Sequence, residues 1–225
     1  MPSNLNKIDI NVLVNELARN NENIYESEAQ FQFDLAWLIN EKYKDLIVKL
    51  ELVTATTYVN NKLKRIYTDI VVLDNDGEFI AIELKYKTKA SEYNGVKLLN
   101  HGATDLGRFD YLWDIHRLEL LKKKSCKNYE FNKKLKKCVK CFAILLTNES
   151  KYWKTCENGN NSLYKNFCIS EQDKIIKNKK LTWHKKNNKS CIDNTWRDVT
   201  LKFENDYQFK WHNFNHDFKY VITEI

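Results

Sequence analysis

Asp69, Glu83 and Lys85 lie on two neighbouring apolar runs, residues 66–73 and 79–86, separated by Asp74-Asn75-Asp76-Gly77. Their types and spacing suit a divalent-cation hydrolase. Carboxylate oxygens are hard ligands for Mg²⁺, which keeps several waters and binds through one or two carboxylates together with a substrate phosphate. Such an ion polarises the phosphate and lowers the pKa of a bound water, while a nearby lysine orients the nucleophile or stabilises the developing charge. Without a cation, two adjacent carboxylates among apolar residues lose hydration and repel each other.

A β-hairpin positions these groups. Asp, Asn and Gly in the turn tolerate positive φ, and the flanking runs are β-branched and aromatic. With Asp74 pairing Glu78, the ladder brings Asp69 opposite Glu83. Side chains alternate along a strand, so Phe79, Ala81, Glu83 and Lys85 share one face and Ile80, Ile82, Leu84 and Tyr86 the other. The second face reads as core and the first as the site. Upstream, residues 24–41 have helical periodicity, with Ile24, Phe31, Leu35, Leu38 and Ile39 in one stripe. Glu28 projects into the middle of that stripe, whereas Glu26, Asp34 and Glu41 fall outside it. Glu28 is therefore either a further acid facing the sheet or a helix-N-terminal glutamate favoured by the dipole and paired with a lysine.

On these residues the chain resembles the PD-(D/E)XK nuclease superfamily, with Thr68-Asp69 in the place of Pro-Asp and Glu83-Leu84-Lys85 as the E-x-K. The usual proline is absent. Glu28 takes the place of a glutamate that many members carry on the preceding helix. The run from Gly102 to Asp110, closing on Arg117-Leu118-Glu119, is similar to a segment of bacterial members of the superfamily. The resemblance covers about residues 24–147. It implies an α/β fold with a restriction-endonuclease-like core, a mixed central β-sheet flanked by helices, and a C-terminal elaboration. It also implies Mg²⁺ as cofactor, with Mn²⁺ as a substitute, Asp69 and Glu83 as metal ligands, and Asp69, Glu83, Lys85 and Glu28 as the catalytic set. DNA is the implied substrate, restriction or phage defence the setting, and a homodimer one way to cut both strands. The alternative is a noncatalytic nucleic-acid-binding protein or a subunit of a larger nuclease complex.

Two other acidic-x-Lys triplets, Glu149-Ser150-Lys151 and Asp217-Phe218-Lys219, lack an aspartate on a preceding hairpin strand or fall at the edge of their apolar run. Residues 8–20 predict a short helix, 46–53 a strand, and 104–124 a long helix capped by Thr104, with Leu106, Phe109, Trp113, His116 and Leu120 at helical spacing. A strand follows at 139–147. The polar, aromatic stretch 149–205 reads as an insertion or substrate-facing lobe, before late strands near 207–213 and 218–223. The polar residues around the long helix, His101, Asp105, Arg108, Asp110 and Arg117, either clamp a phosphate and support Lys85 or form i,i+3 and i,i+4 pairs on a solvated face. The second reading is the preferred one.

With 225 residues, 43% of them hydrophobic, and with one proline and five glycines, the chain suits a single domain without an obvious linker. A net charge of +7 favours a polyanionic partner. Lys87, Lys89 and Arg108 are the expected nucleic-acid contacts near the site. Lys122–124 with Lys133, Lys134, Lys136 and Lys137 form a second basic patch. Tyr152, Trp153, Trp183, Trp196 and Trp211 are available to stack on bases, although most aromatics in a small domain serve its core. Of six cysteines, Cys138 and Cys141 have C-x-x-C spacing while Cys126, Cys156, Cys168 and Cys191 are scattered. Free thiols in a reducing cytoplasm are expected, with a structural zinc as the alternative. The sequence shows neither a secretory segment nor an apolar run of membrane-spanning length, so a cytoplasmic protein without membrane association is expected.

Overall fold

Both faces of the hairpin are buried. Strands β1 (Ile47–Val59), β2 (Lys62–Leu73), β3 (Glu78–Lys87), β4 (Tyr129–Phe131), β5 (Lys137–Thr147), β6 (Trp211–Asn213) and β7 (Lys219–Glu224) form a seven-stranded sheet in the order β6-β7-β5-β3-β2-β1-β4. This computed structural model describes residues 4–20, 24–59, 62–124, 129–156, 164–184, 192 and 195–225. Neighbouring strands are antiparallel except β3 and β5, which run parallel. Parallel strands need a crossover, and helix α3 (Thr104–Lys123) supplies it. Helices α1 (Ile10–Asn20) and α2 (Glu28–Lys42) pack on the other face. The class is α/β with a mixed central sheet.

The hairpin register is the one the turn dictates. Leu73 pairs with Phe79 and Ile70 with Ile82, and the Asp74 N–H donates to the Glu78 carbonyl at 3.1 Å. Gly77 turns the chain at φ +84°, where an added Cβ would lie 2.9 Å from the Lys134 carbonyl oxygen. Past Ile70 and Ile82 the two strands part. β2 continues along β1, with Thr68 against Leu52, while β3 continues along β5 from Glu83 against Ala143 to Lys87 against Thr147. Asp69 and Glu83 occupy the first step of the resulting gap.

Alternation sorts the apolar residues into two cores. Ile80, Ile82, Leu84 and Tyr86 join Phe31, Leu35 and Ile39 beneath α2. Phe79 and Ala81 join Val71, Phe109, Leu112 and Ile115 beneath α3. The expectation of one core face and one polar face is thus corrected: the α3 face is core as well, and its polar groups are inserted into it. Tyr152, Phe167, Ile169, Leu181, Trp183 and Phe203 extend that same core, so these described residues of 149–205 pack with α3.

Other boundaries also differ from the periodicity reading. Helix α2 starts at Glu28, capped by Ser27 Oγ accepting the Gln30 N–H at 3.2 Å, and Ile24 is buried ahead of it. Thr104 is the first residue inside α3 rather than its cap. The N-cap is Ala103, in the left-handed region at φ 37° and without a side-chain capping bond. Gly107 is required on α3 because an added Cβ would lie 2.0 Å from the Tyr152 hydroxyl, which packs against that turn. Residues 207–213 do not make one strand, since 207–208 pair with 174–175 while β6 joins the main sheet.

The expectation of free thiols fails at Cys156 and Cys168, which form a disulfide across Cα atoms 6.3 Å apart, within bridging range. The turn at Lys165–Phe167 brings Cys168 back beside Cys156, a proximity their separation of 12 residues does not reveal. Cys138 and Cys141 are free and buried, and Cys126 and Cys191 lie outside the described residues. Among the described residues no helix is long and apolar enough to cross a membrane.

Candidate active site

Where β2 and β3 separate, the N–H groups of β3 lose their β2 acceptors, and carboxylates take their place. Asp69 Oδ2 accepts the Leu84 N–H at 2.6 Å, and Glu28 Oε2, from the first residue of α2, accepts the Tyr86 N–H at 2.6 Å. Gln32, one turn along α2, donates to the Asp69 carbonyl at 2.7 Å and fixes that strand end. Glu28 thus sits at a helix N-terminus and reaches the sheet beside Asp69, bonding a strand amide rather than a lysine.

Two α3 residues complete the cluster. Asp114 Oδ2 lies 2.7 Å from Lys85 Nζ, and Arg117 Nη2 lies 2.8 Å from Glu83 Oε2 and 2.9 Å from Asp114 Oδ1. Lys85 Nζ also donates to the Leu84 carbonyl at 3.0 Å. The sequence does not single out Asp114, and it favours a solvated face for Arg117. The i,i+3 pairing is present between Asp114 and Arg117, but the face is not a solvated one, because Arg108, Asp110, Asp114 and Glu119 are buried. The 113–117 segment offered one signal, an acid and an arginine at i,i+3 beside Trp113, but solvated helix pairs look the same.

Electrostatics follow from burial. Loss of hydration pushes the Asp69 carboxyl up to about 6, against the opposing pull of the Lys85 ammonium. Burial likewise drives the Glu83 carboxyl well above the usual carboxylate range, with Arg117 opposing and Asp114 and Asp69 adding to the rise. Burial alone would lower the Lys85 ammonium, but Asp114, then Glu83 and Asp69, overcome it and hold Lys85 above its ordinary value. Four carboxylates, Glu28, Asp69, Glu83 and Asp114, face only two cations, Lys85 and Arg117. When all are ionised the cluster carries excess negative charge, which a divalent cation would offset.

The donor set fits Mg²⁺ better than zinc. Among the described residues, the one group of three donors with ligand atoms within 4.8 Å of one another is Cys156, Cys168 and Asp173, and the disulfide consumes two of them. The cleft acids form no such closed cage, and Mg²⁺ does not require one, since it retains waters and uses one or two carboxylates.

The remaining candidates are spread around this centre. Lys87 is the last residue of β3, and Lys89 lies beyond it, exposed, its N–H donating to Asn148 Oδ1 at 2.7 Å. Arg108 is buried at the start of α3, where it donates to the Lys151 carbonyl and stacks over Tyr164 at 4.9 Å. His101 Nδ1 accepts the Thr88 N–H at 3.0 Å. The second lysine patch is partly consumed by the fold: Lys122 bonds the Ile225 carbonyl, Lys124 the Leu135 carbonyl, and Lys123 and Lys137 pair with Glu204 and Glu78. Glu149 caps a short 3-10 turn and Asp217 meets the Tyr93 hydroxyl, so neither competing triplet approaches the cluster.

Comparison with protein-family models, curated proteins and solved structures finds no match to this chain. The geometry alone carries the functional reading.

Proposed function

We propose that this protein is a Mg²⁺-dependent nuclease with a restriction-endonuclease-like core that hydrolyses DNA phosphodiester bonds, in the cytoplasm and in a restriction or defence setting. The observation that carries the reading is the convergence of Asp69, Glu83 and Lys85 at the parting of β2 and β3, in a cluster with excess carboxylate. Asp69 and Glu83 would hold the ion, with Glu28 completing the site and Mn²⁺ able to substitute. Bound there, Mg²⁺ would supply Lewis-acid polarisation of the phosphate and acidify a water. Lys85, kept protonated by Asp114 and Glu83, is suited to stabilising charge on the phosphate and is a poor general base at neutral pH. Asp114 and Arg117 are positioning residues: the first aims the Lys85 ammonium and the second holds the Glu83 carboxylate. The exposed Lys89 and the half-buried Lys87 extend positive charge along the path of the backbone.

One observation favours a noncatalytic nucleic-acid-binding protein instead, namely that the ion pairs Lys85–Asp114 and Arg117–Glu83 already satisfy much of the cluster. The deciding experiment incubates supercoiled plasmid and single-stranded DNA with wild type and Lys85→Ala in Mg²⁺, Mn²⁺ or EDTA. Metal-dependent cutting that is lost in the variant supports the nuclease. Salt-sensitive binding with no cutting in any metal defeats it in favour of the binding protein.

A further inference from the structure

Of the five aromatic residues available for base stacking, Tyr152, Trp183 and Trp211 are buried and Trp153 is partly buried, while Trp196 is 50% exposed. Trp196 lines the cleft that contains Lys85, together with Lys64, Asp110, Trp113, Asp114 and Arg117. We propose, on the basis of the nuclease reading, that this cleft takes an unpaired nucleobase stacked on Trp196 next to the phosphate to be cut, so that the substrate is single-stranded DNA or a locally unpaired strand.

The indole is held in place rather than left loose. Arg197 makes a two-pronged pair with Asp110, at 2.8 and 2.9 Å, and its guanidinium lies over the Trp196 ring at 4.3 Å. The Trp183 Nε1–H anchors the same backbone through the Arg197 carbonyl at 2.9 Å. Trp113 and Phe109 pack against the indole with centroids 6.1 and 6.0 Å away. Arg197 covers one face of the ring, yet half of the residue stays accessible. A rigid aromatic loses little entropy on stacking, and each stacked base contributes substantially to single-strand affinity.

The charges around the ring fit a nucleotide. Both acids of the cleft wall are occupied, Asp110 by Arg197 and Asp114 by Lys85 and Arg117. Lys64, exposed on β2, offers a phosphate contact at the rim. The cleft volume of about 370 Å³ lies within the range of pockets that enclose small ligands. A paired base inside a duplex has both faces covered by its neighbours and cannot present one to an indole, so an enzyme using this surface takes the base out of the stack or starts from a single strand.

The test measures binding in EDTA by tryptophan fluorescence and gel shift, and cutting in Mg²⁺. Three 12-nucleotide probes are compared: oligo-dT, a blunt duplex, and an abasic strand that keeps the phosphates. Wild type is run beside Trp196→Ala, Trp196→Tyr and Lys85→Ala. The expected result is that Trp196→Ala weakens oligo-dT binding by roughly tenfold to a hundredfold, that Trp196→Tyr restores most of it, and that abasic-strand binding is unchanged in both. Far-ultraviolet circular dichroism and melting of each variant separate a stacking loss from misfolding. Equal wild-type affinity for oligo-dT and the abasic strand, or equal oligo-dT binding by Trp196→Ala, overturns the proposal even if the enzyme cuts. A stacking loss in Trp196→Ala without cutting by wild type sustains base binding and defeats only the nuclease reading.

Discussion

Helices α2 and α3 cover opposite faces of one sheet and distribute their side chains in opposite ways. On α2 the apolar residues Phe31, Leu35, Ala36 and Ile39 are buried, and two further aromatics, Phe33 and Trp37, are 56% and 57% exposed and stacked on each other. On α3 the interior holds Arg108, Asp110, Asp114 and Glu119 among Phe109, Leu112 and Ile115. Burying a charge is tolerated only when it is paired. The three acids are engaged, Asp110 by Arg197, Asp114 by Lys85 and Arg117, and Glu119 by the Glu204 and Asn205 N–H groups and the Tyr207 hydroxyl, whereas Arg108 donates through Nη2 to the Lys151 carbonyl and leaves Nε and Nη1 without a hydrogen-bond partner among the described residues. α2 is placed mainly by packing, with Glu28 and Gln32 of its first turns bonding the strand ends, whereas α3 adds to its apolar packing a row of directional polar contacts along its length. The cluster at the strand ends accordingly depends more on α3, and α2 contributes Glu28 at its tip and Gln32 one turn on.

The most direct way to break this contrast is Arg117→Met, which leaves Glu83 buried without its cation. Urea unfolding should show a loss of about 3–5 kcal/mol, with part of it recovered when Glu83→Gln is added. A change below 1 kcal/mol on this scale would mean that α3 is not held through that pair. Gly107→Ala pushes a methyl into Tyr152 and should cost about 1–3 kcal/mol in the same measurement. A neutral result there would show that the helix and the loop after β5 move apart freely.

Titration sharpens the contrast from the side of the acids. Asp69 and Glu83 have carboxyl pKa values raised by burial, so without metal their protonated forms favour the fold. That contribution is present below the ordinary carboxylate range and is lost as pH rises through about 6 for Asp69. Mg²⁺ needs the ionised forms, so it should stabilise at pH 7.5 and much less at pH 5. With Mg²⁺ roughly tenfold above its Kd, the expected rise in melting temperature at pH 7.5 is about 3–6 °C. An equal rise at both pH values would separate the ion from these acids. The smallest effect is expected on α2, where Trp37→Ala should change stability by no more than about 0.5 kcal/mol. A larger loss would reveal an interaction that the exposed pair Phe33–Trp37 does not make within the chain.

The parts of this architecture that were legible in the sequence are the local ones. The turn 74–77 with its alternating flanks specifies the hairpin register, and the register brings Asp69, Glu83 and Lys85 together. Residues 24–41 and 104–124 show helical spacing because each buries an apolar stripe. What remained hidden depends on long-range packing. Asp114 and Arg117 have the spacing of an ordinary surface pair, and nothing in that spacing reveals that the pair turns onto Lys85 and Glu83 of β3. The disulfide between Cys156 and Cys168 was hidden as well, since no spacing rule pairs two cysteines 12 residues apart. Thr104 looked like a cap because its side chain can act as one, yet the left-handed turn at Gly102 and Ala103 starts the helix without it.

The gap between β2 and β3 makes the main chain a gauge of the site. Asp69 and Glu28 each commit one oxygen to an amide of β3, so anything that changes their charge also changes the bonds to Leu84 and Tyr86. Protonation weakens a carboxylate as an acceptor, and a bound ion draws on the same lone pairs. The amide resonances of Leu84 and Tyr86 would therefore report the occupancy of the cleft directly in nuclear magnetic resonance, with no substrate present and no bond cut.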